Sequence, residues 1–250
     1  MIELLDVSKV FVDSEGKEVA AVSGLTLDVA AGETVSLIGT SGSGKTTTMK
    51  LINRLIEPTS GRVLFDGKDI TQWDVIRLRR SIGYVIQRGG LFPHLSVAEN
   101  IGLLCALEGW PRERTKQRVD ELLRLVNLPP EDYAARFPRD LSGGQRQRVG
   151  VARALALDPP CILMDEPFGA LDPITRDQLH DEFLQLEEQV DKTIVLVTHD
   201  MAEAFKLADR VVLMDAGSIV QSGTEEDFRQ RPANEFVRQF LQSHLAGPHA

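Results

Sequence analysis

The sequence predicts an α/β fold with three parts: a parallel sheet surrounded by helices, an antiparallel β flank and an inserted α-helical subdomain. Short apolar runs alternate with helical stretches over much of the chain, which is typical of parallel sheets. Two N-terminal stretches show partial two-residue alternation, which indicates antiparallel strands. Residues 96–157 have a mostly helical pattern. We expect residues 1–87 and 158–250 to form the core and residues 88–157 the helical subdomain, within one domain overall.

The composition is that of an ordinary globular protein and disfavours nucleic acid as a partner. Hydrophobic residues make up 42% and charged residues 26% of the 250 residues. The formal net charge is -9, whereas a phosphate backbone favours a basic surface. No run approaches the ~20 apolar residues of a membrane span, and the start lacks the basic flank of a secretory signal. Cys105 and Cys161 lie in apolar runs, so we expect buried thiols in a reducing cytosol.

The N-terminal elements follow from hydrophobic periodicity. We expect "MIELLDVSKVF" and "VAAVSGLTLDVA" to be the antiparallel strands. The run "ETVSLIG" is short, apolar and ends in glycine, which indicates a buried parallel strand. The stretch "TTTMKLINRLI" then predicts a helix that stops at Pro58.

Turn and cap residues place several later elements. Asp66–Gly67 and Ala216–Gly217 each predict a hairpin turn between two strands. Ser96 and Glu99 have the spacing of a capping box, so a helix is expected to begin there. Pro232 is expected to separate two helices near the C-terminus.

The stretch "GTSGSGKT", residues 39–46, has the pattern of a phosphate-binding loop. Four specified positions would match by chance in roughly one chain per hundred of this length. An apolar strand precedes the loop and a helical pattern follows it, so backbone N–H groups and the helix N-terminus can converge on phosphate oxygens. Lys45 would neutralise phosphates and Thr46 would ligate Mg²⁺. The alternative is a flexible Gly/Ser loop without a ligand.

Two acids and a histidine follow apolar strands. "CILMDE" ends in Asp165 and Glu166, and the carboxyl ends of parallel strands face the ligand crevice. Asp165 can hold Mg²⁺ through water, and Glu166 can polarise an attacking water. His199 follows "TIVLVT" and can reach a γ-phosphate or orient water. The alternatives are a solvated strand end and a surface histidine.

A second glycine-rich stretch, "LSGGQRQRV" at 141–149, also runs into a helical pattern. With "GTSGSGKTT", "CILMDE", "ALD" and "TH", it makes a series of motifs that resembles the ATP-binding subunits of ABC transporters over nearly the whole chain. The resemblance implies a P-loop NTPase with a RecA-like core, built as an ABC-type nucleotide-binding domain. It also implies ATP and Mg²⁺ as cofactors and ATP hydrolysis as the activity.

In that family two nucleotide-binding domains pair head to tail, and the signature loop of one closes over the γ-phosphate held by the other. The resemblance therefore implies a second copy of this chain as a partner. The residues implied to bind nucleotide are those of the phosphate loop and the signature: Gly39, Thr40, Ser41, Gly42, Ser43, Gly44, Lys45, Thr46, Thr47, Ser142, Gly143, Gly144 and Gln145.

Single positions also match family roles. Phe11 stands where the family has an aromatic stacked on adenine, often Tyr, and Asp172 matches the aspartate at the dimer seam. The resemblance makes Glu166 the catalytic glutamate and His199 the switch histidine. Gln87 matches the glutamine that touches Mg²⁺ and the attacking water. The implied metal ligands are thus Gln87 together with Thr46 and Asp165.

The loop "RGGLFPHLS", Arg88–Ser96, is the expected docking site for transmembrane permease subunits. Leu91, Phe92 and Leu95 are apolar residues in a loop, and exposed apolar loops mark partners. The alternative is that these side chains pack under the helical subdomain. The resemblance further implies an indirect partnership with a solute-binding protein and a place on the cytoplasmic face of the membrane.

Within the family, "TTTMKLINRLIEPTSG" and "MDEPFGALDPITRDQL" are similar to ATPases of glycine betaine, carnitine and choline importers. Many of these continue into paired cystathionine-β-synthase-type domains, and we expect no such pair within these 250 residues. The alternatives are an importer of another cargo (an amino acid, a sulfonate or a lipid), a soluble ABC ATPase of DNA repair or translation, and a regulatory ATP-binding module. A repair ATPase would need a long coiled coil between the motifs, and a translation factor would need tandem motif sets.

Overall fold

The computed structural model describes residues 1–86, 90–169 and 171–245. Two compact units make up the chain. One comprises Met1–Arg79 with the described part of Thr193–Ala250, and the other comprises Arg80–Lys192. Among the described residues, no helix has both the length and the apolar character needed to cross a bilayer.

Strands and helices are numbered in chain order. The strands are β1 (Ile2–Val12), β2 (Glu18–Val29), β3 (Thr34–Gly39), β4 (Ser60–Phe65), β5 (Lys68–Asp69), β6 (Ile82–Val85), β7 (Cys161–Asp165), β8 (Thr193–Val197), β9 (Arg210–Asp215) and β10 (Ser218–Gly223). The helices are α1 (Lys45–Ile52), α2 (Val75–Arg80), α3 (Val97–Leu107), α4 (Arg112–Leu125), α5 (Pro130–Tyr133), α6 (Gly143–Ala154), α7 (Pro173–Gln189), α8 (Met201–Leu207), α9 (Glu225–Gln230) and α10 (Glu235–Leu245).

The antiparallel flank in the first unit is a sheet with the strand order β2-β1-β4-β5. Both predicted hairpin turns are present. Asp66 and Gly67 have φ values of 54° and 72°, and Ala216 and Gly217 have φ values of 44° and 83°. Two positive φ values in a two-residue loop match the right-handed twist of the flanking strands, which explains the glycine in each pair.

The same unit contains four strands in the order β10-β9-β3-β8. β3 pairs in parallel with β8 and with β9, and all six of its residues are buried, as its apolar sequence predicted. A core cluster that includes Ile38, Leu213, Phe228 and Phe240 packs α8, α9 and α10 on these strands. Leu37 lies beside Val197 in the register, so β3 and β8 end at the same edge.

Helix α1 is shorter than the sequence predicted, since it ends at Ile52 rather than at Pro58. Asn53 is the C-cap, and its side-chain oxygen accepts a hydrogen bond from the Leu55 N–H at 3.1 Å. Arg54 then has φ 52°, a left-handed conformation that a helix cannot continue through. A polar side chain that competes for backbone groups therefore ends the helix before proline does.

The second unit packs α3, α4 and α6 beside the parallel pair β6–β7. Its interior includes Ile101, Val119, Leu122 and Val149, and the predicted burial of Cys105 and Cys161 is confirmed. Gly102 allows α3 and α4 to approach closely, because an added Cβ would lie 2.9 Å from a methyl of Thr115. The proline-rich stretch "NLPPEDYAARFPRD" contains α5 and a 3₁₀ turn at Pro138–Asp140.

Candidate functional site

The loop between β3 and α1 is closed by the Lys45 side chain. The Lys45 ammonium donates to the carbonyl oxygens of Gly39 and Thr40, each at 2.8 Å, and to Ser43 Oγ at 3.3 Å. Lys45 is only 7% exposed, so its charge is held inside the loop rather than in solvent. This cation and the backbone around it form a site suited to an anion with several oxygens.

Three glycines of this loop have positive φ values: 147° at Gly39, 80° at Gly42 and 101° at Gly44. A Cβ at Gly39 would lie 2.1 Å from the Met214 carbonyl oxygen, and one at Gly44 would lie 2.5 Å from the Ala21 carbonyl oxygen. Gly42 has no atom within 4 Å of that position, so the loop is open there. The loop is therefore packed against backbone at Gly39 and Gly44 and open at Gly42, where a ligand can approach the backbone.

The N-terminus of α1 adds its dipole to the loop. Gly44 is the N-cap and provides no side-chain hydrogen bond, while Thr46 and Thr47 lie half-buried in the first turn. The turn between β9 and β10 supports the loop from behind, since the Gly217 N–H donates to the Ser43 carbonyl oxygen at 3.2 Å. Exposed Thr40 and Ser41 complete the predicted phosphate loop.

Phe11 and His199 lie in the same unit as this loop. Phe11 is 42% exposed on β1, and the Lys9 ammonium lies 5.1 Å from its ring centroid. An exposed ring of this kind can stack on a planar ligand. His199 is exposed and follows β8, and Asp200 next to it caps α8 by accepting from the N–H groups of Ala202 and Glu203.

In the second unit, Asp165 ends β7 and Glu166 follows it, and both are half-buried. Glu166 has φ 45°, an uncommon conformation for a non-glycine residue, and its carbonyl accepts from the Gly169 N–H at 3.3 Å. Burial, together with the negative charge of Asp165, raises the pKa of the Tyr84 phenol on β6 to about 12. Two carboxylates at one strand end, beside a phenol that stays protonated, can serve as oxygen ligands or as a base.

Ser142 is the N-cap of α6, and Gln145 forms a capping box with it. Ser142 Oγ accepts from the Gln145 N–H at 3.2 Å, and Gln145 Oε1 accepts from the Ser142 N–H at 2.9 Å. Gly143 and Gly144 begin α6 and face α7: an added Cβ would lie 3.3 Å from Leu171 Cδ2 and 3.0 Å from Thr175 Cγ2, respectively. The four signature residues therefore form a capped helix N-terminus with little side-chain bulk.

Asp172 is the N-cap of α7 and accepts from the Thr175 N–H at 3.0 Å. Hydrogen bonds from Thr175 hold the pKa of the Asp172 carboxyl below its usual range. Asp172 is thus an ionised helix cap whose orientation is fixed by its own helix.

The part of the expected docking loop that the structure describes, residues 90–96, is held by Asn100. Asn100 is fully buried, accepts from the Phe92 N–H, and donates to the carbonyl oxygens of Phe92, Leu95 and Ser96. Phe92 is 43% exposed, whereas Leu91 and Leu95 are half-buried. One apolar side chain therefore faces solvent on a loop whose backbone is fixed.

Some residues that the sequence assigned to the site lie outside the described residues, and some residues that hold the site in the structure were not predicted from the sequence. Gln87, Arg88 and Ala170 belong to the first group. Asn100 and Tyr133, which hold the docking and signature loops, belong to the second. Asn100 lies within a helical pattern and Tyr133 within a proline-rich stretch, and only the tertiary contact reveals what each of them binds.

Comparison with known proteins gives one family match and close relatives. The family model described as ABC transporter matches residues 22–169. The glycine betaine/carnitine/choline transport ATP-binding protein OpuCA of Bacillus subtilis (strain 168) is 58% identical over 241 residues, which are 96% of this chain and 62% of that protein. The chain thus spans less than two thirds of that relative's length. The glycine betaine uptake system ATP-binding protein YehX of Escherichia coli (strain K12) is 52% identical over 96% of this chain and 76% of that protein.

Among solved structures, a dimer of the ATP-binding cassette MJ0796 in a post-hydrolysis state is similar to this chain. It is bound to ADP and Pi, and it matches with a TM-score of 0.80 and 35% sequence identity. The match covers 90% of this chain and 98% of that one.

Proposed function

The chain belongs to the family of ABC transporter ATP-binding domains, as its motifs indicated, and from this premise we propose that it hydrolyses ATP to energise an importer. The observation that carries the proposal is the phosphate loop: a buried Lys45 ammonium, glycines at positive φ and an open surface at Gly42. The proposed domain bounds are those expected from the sequence. Residues 1–87 and 158–250 form the ATP-binding core, and residues 88–157 form the helical subdomain that carries the signature.

ATP binding is assigned to residues of the first unit. The Lys45 ammonium exchanges its contacts with Gly39 and Thr40 for phosphate oxygens, and the N-terminus of α1 adds favourable dipole charge. The Phe11 ring stacks on the base. Because hydroxyl, carboxylate and amide carbonyl oxygens suit a hard cation, Thr46, Asp165 and Gln87 are the residues that would hold Mg²⁺. The ion supplies neutralisation of phosphate charge.

Glu166 is proposed as the group that positions and polarises the attacking water. Its place directly after β7, at φ 45°, turns its backbone sharply from the strand. His199 is proposed to contact the γ-phosphate, and Gln87 to touch the water.

A second copy of the chain is proposed to complete each site. Ser142, Gly143, Gly144 and Gln145 present a capped helix N-terminus with little side-chain bulk, which suits close approach to a triphosphate held elsewhere. The solved neighbour bound to ADP and Pi is dimeric, which supports this assembly. Asp172, an ionised cap, is proposed to lie at the seam.

The ATPase assignment is tested by Glu166→Gln. The variant is expected to bind ATP as the unmodified chain does and to lose turnover by at least about 100-fold, because an amide is a poor base. ATP affinity is measured by calorimetry and turnover by phosphate release. Turnover near that of the unmodified chain would remove Glu166 from its role, and no turnover in the unmodified chain would remove the function itself.

The membrane subunits are proposed to dock near Arg88–Ser96, which places the protein on the cytoplasmic face of the membrane. A groove of about 550 Å³ between α3 and α4 adjoins this loop and has a largely apolar lining that includes Leu95, Leu103 and Val119. Exposed Phe92 belongs to the same loop as Leu95, which lines the groove. An apolar helix end of a partner would bury this surface.

Phe92→Asp tests the docking site. It is expected to abolish co-purification with a transmembrane permease subunit of the importer. Leu107→Asp is the matched control, because Leu107 is also an exposed apolar residue (62% exposed, at the end of α3) but lies outside the docking loop. Equal co-purification of the two variants would contradict the assignment.

A quaternary ammonium osmoprotectant of the glycine betaine, carnitine and choline class is the proposed cargo, delivered by a solute-binding protein. Its support is the similarity of the chain to OpuCA, a glycine betaine/carnitine/choline transport protein, and to YehX, a glycine betaine uptake protein. Uptake of labelled choline and glycine betaine by cells with and without this gene tests the cargo. Gene-dependent uptake of an amino acid or sulfonate instead would leave the ATPase proposal standing and change the substrate.

A further inference from the structure

Tyr133, the last residue of α5, touches the signature without belonging to it. Its hydroxyl oxygen accepts a hydrogen bond from Gln145 Nε2 at 3.1 Å. The guanidinium of Arg136 lies 4.4 Å from its ring centroid, which fixes the ring as well. The ring and the hydroxyl therefore both have defined partners.

The Gln145 carboxamide is fixed at both of its ends. Oε1 accepts from the Ser142 N–H at 2.9 Å, and Nε2 donates to Tyr133. Without the Tyr133 hydroxyl, the amide could rotate and release the Ser142 N–H. Ser142 Oγ meanwhile accepts from the Gln145 N–H at 3.2 Å, so the hydroxyl hydrogen of Ser142 can point to an anionic oxygen.

We propose that Tyr133 is a positioning residue for the signature loop: through its hydrogen bond with Gln145, Tyr133 orients the Ser142 hydroxyl. The proposal rests on the function assigned above, in which this loop contacts the triphosphate of a second copy. Tyr133 does not touch nucleotide in this account.

The chain segment after Tyr133 joins the signature to the docking loop. The carbonyl oxygen of Ala134 accepts from the Ala98 N–H at 3.0 Å, and that of Arg136 accepts from the Val97 N–H at 2.8 Å. These two amides open α3, whose N-cap is Ser96 at the end of the docking loop. These hydrogen bonds join the segment that follows Tyr133 to the first turn of α3.

Tyr133→Phe tests the positioning role in the nucleotide-free chain, because it removes the hydroxyl and keeps the ring on Arg136. Hydrogen exchange at the Ser142 and Gln145 amides is expected to accelerate about 2- to 10-fold, the range for loss of one hydrogen bond. The amides of Thr224 and Asp227 are the control, since they form a capping box in the other unit without a tyrosine. Unchanged exchange at Ser142 and Gln145 would overturn the proposal.

Dimerisation gives a second readout. In the Glu166→Gln background, Tyr133→Phe is expected to weaken the ATP-driven dimer about 2- to 10-fold, with unchanged ATP affinity of the monomer. In a Gln145→Ala background the effect of Tyr133→Phe should disappear, because the two residues act in series. Full additivity of the two substitutions would overturn the proposal. If Glu166→Gln alone fails to dimerise with ATP, the proposed function fails, and the exchange experiment still decides the role of Tyr133.

Discussion

Gly39 combines a conformation and a lack of space that no other residue type tolerates. Its φ is 147°, and an added Cβ would lie 2.1 Å from the Met214 carbonyl oxygen and 2.7 Å from Ser43 Oγ. A backbone carbonyl of a buried strand cannot withdraw as a flexible side chain could. The start of the phosphate loop is therefore held by β9, the strand next to β3.

Gly39→Ala is expected to abolish ATP binding in calorimetry, because the loop must leave β9 to admit the methyl group. Gly67→Ala is the control. Gly67 also has a positive φ, 72°, but nothing lies within 4 Å of its added Cβ. That substitution should cost about 1–2 kcal/mol of stability and leave ATP affinity unchanged. ATP binding by Gly39→Ala at normal affinity would contradict this account of the loop.

Gly144 has a different constraint, the packing of α6 on α7. Its φ is negative, so only space limits the residue: a methyl group would lie 3.0 Å from Thr175 Cγ2 and 3.4 Å from Leu179 Cδ1. Gly144→Ala is expected to lower the free energy of unfolding by about 1–3 kcal/mol through overpacking.

Thr175→Ser should rescue Gly144→Ala, because serine keeps the hydroxyl and lacks the methyl group that clashes. The double variant should recover most of the lost stability in urea unfolding, helped by the higher helix propensity of alanine. Thr175→Ser alone provides the baseline. A double variant as unstable as Gly144→Ala would show that Thr175 is not the obstacle.

The capping boxes of α3 and α6 differ in charge. Glu99 closes the box at α3, and Gln145 closes the one at α6. Hydrogen bonds from the Ser96 backbone and side chain hold the pKa of Glu99 below its ordinary value of 4.5. A carboxyl with a depressed pKa stabilises the folded state above that value, and the contribution is lost as the pH falls through the folded-state pKa.

Glu99→Gln should therefore destabilise the protein at pH ~7. It should have no effect well below the ordinary pKa of 4.5, where the carboxyl is protonated in both the folded and the unfolded chain. Urea unfolding of both chains across this range is the measurement. A difference between them that stayed constant with pH would show that the Glu99 charge does not act through the cap. The signature box has no carboxylate and should be insensitive to acid.

Periodicity predicted the elements better than their ends. The buried strand β3 was predicted from its short apolar run, and the Ser96–Glu99 box from its residue types and spacing. The predicted end of α1 was wrong. The Asn53 side chain binds the backbone of Leu55, and Arg54 adopts a left-handed conformation, so the helix ends although the helical sequence pattern continues to Pro58. The link between Tyr133 and Gln145 spans 12 residues, and no local rule predicts such a contact.

At the scale of the whole molecule, each unit carries part of the proposed chemistry. The phosphate loop, Phe11 and His199 belong to the first unit, and Asp165, Glu166 and the signature belong to the second. The signature presents a helix N-terminus with two glycines, a feature suited to a partner that brings negative charge. The central claim is that this partner is ATP held by another copy of the chain.

Sedimentation of Glu166→Gln with and without Ser142→Arg, in the presence of Mg-ATP, tests this claim most directly. Glu166→Gln alone is expected to sediment as a dimer with ATP and as a monomer without it. Adding Ser142→Arg should leave a monomer that still binds ATP with nearly unchanged affinity, because the arginine blocks only the neighbour's site. A double variant that dimerises as tightly as Glu166→Gln, or one that no longer binds ATP as a monomer, would contradict the account.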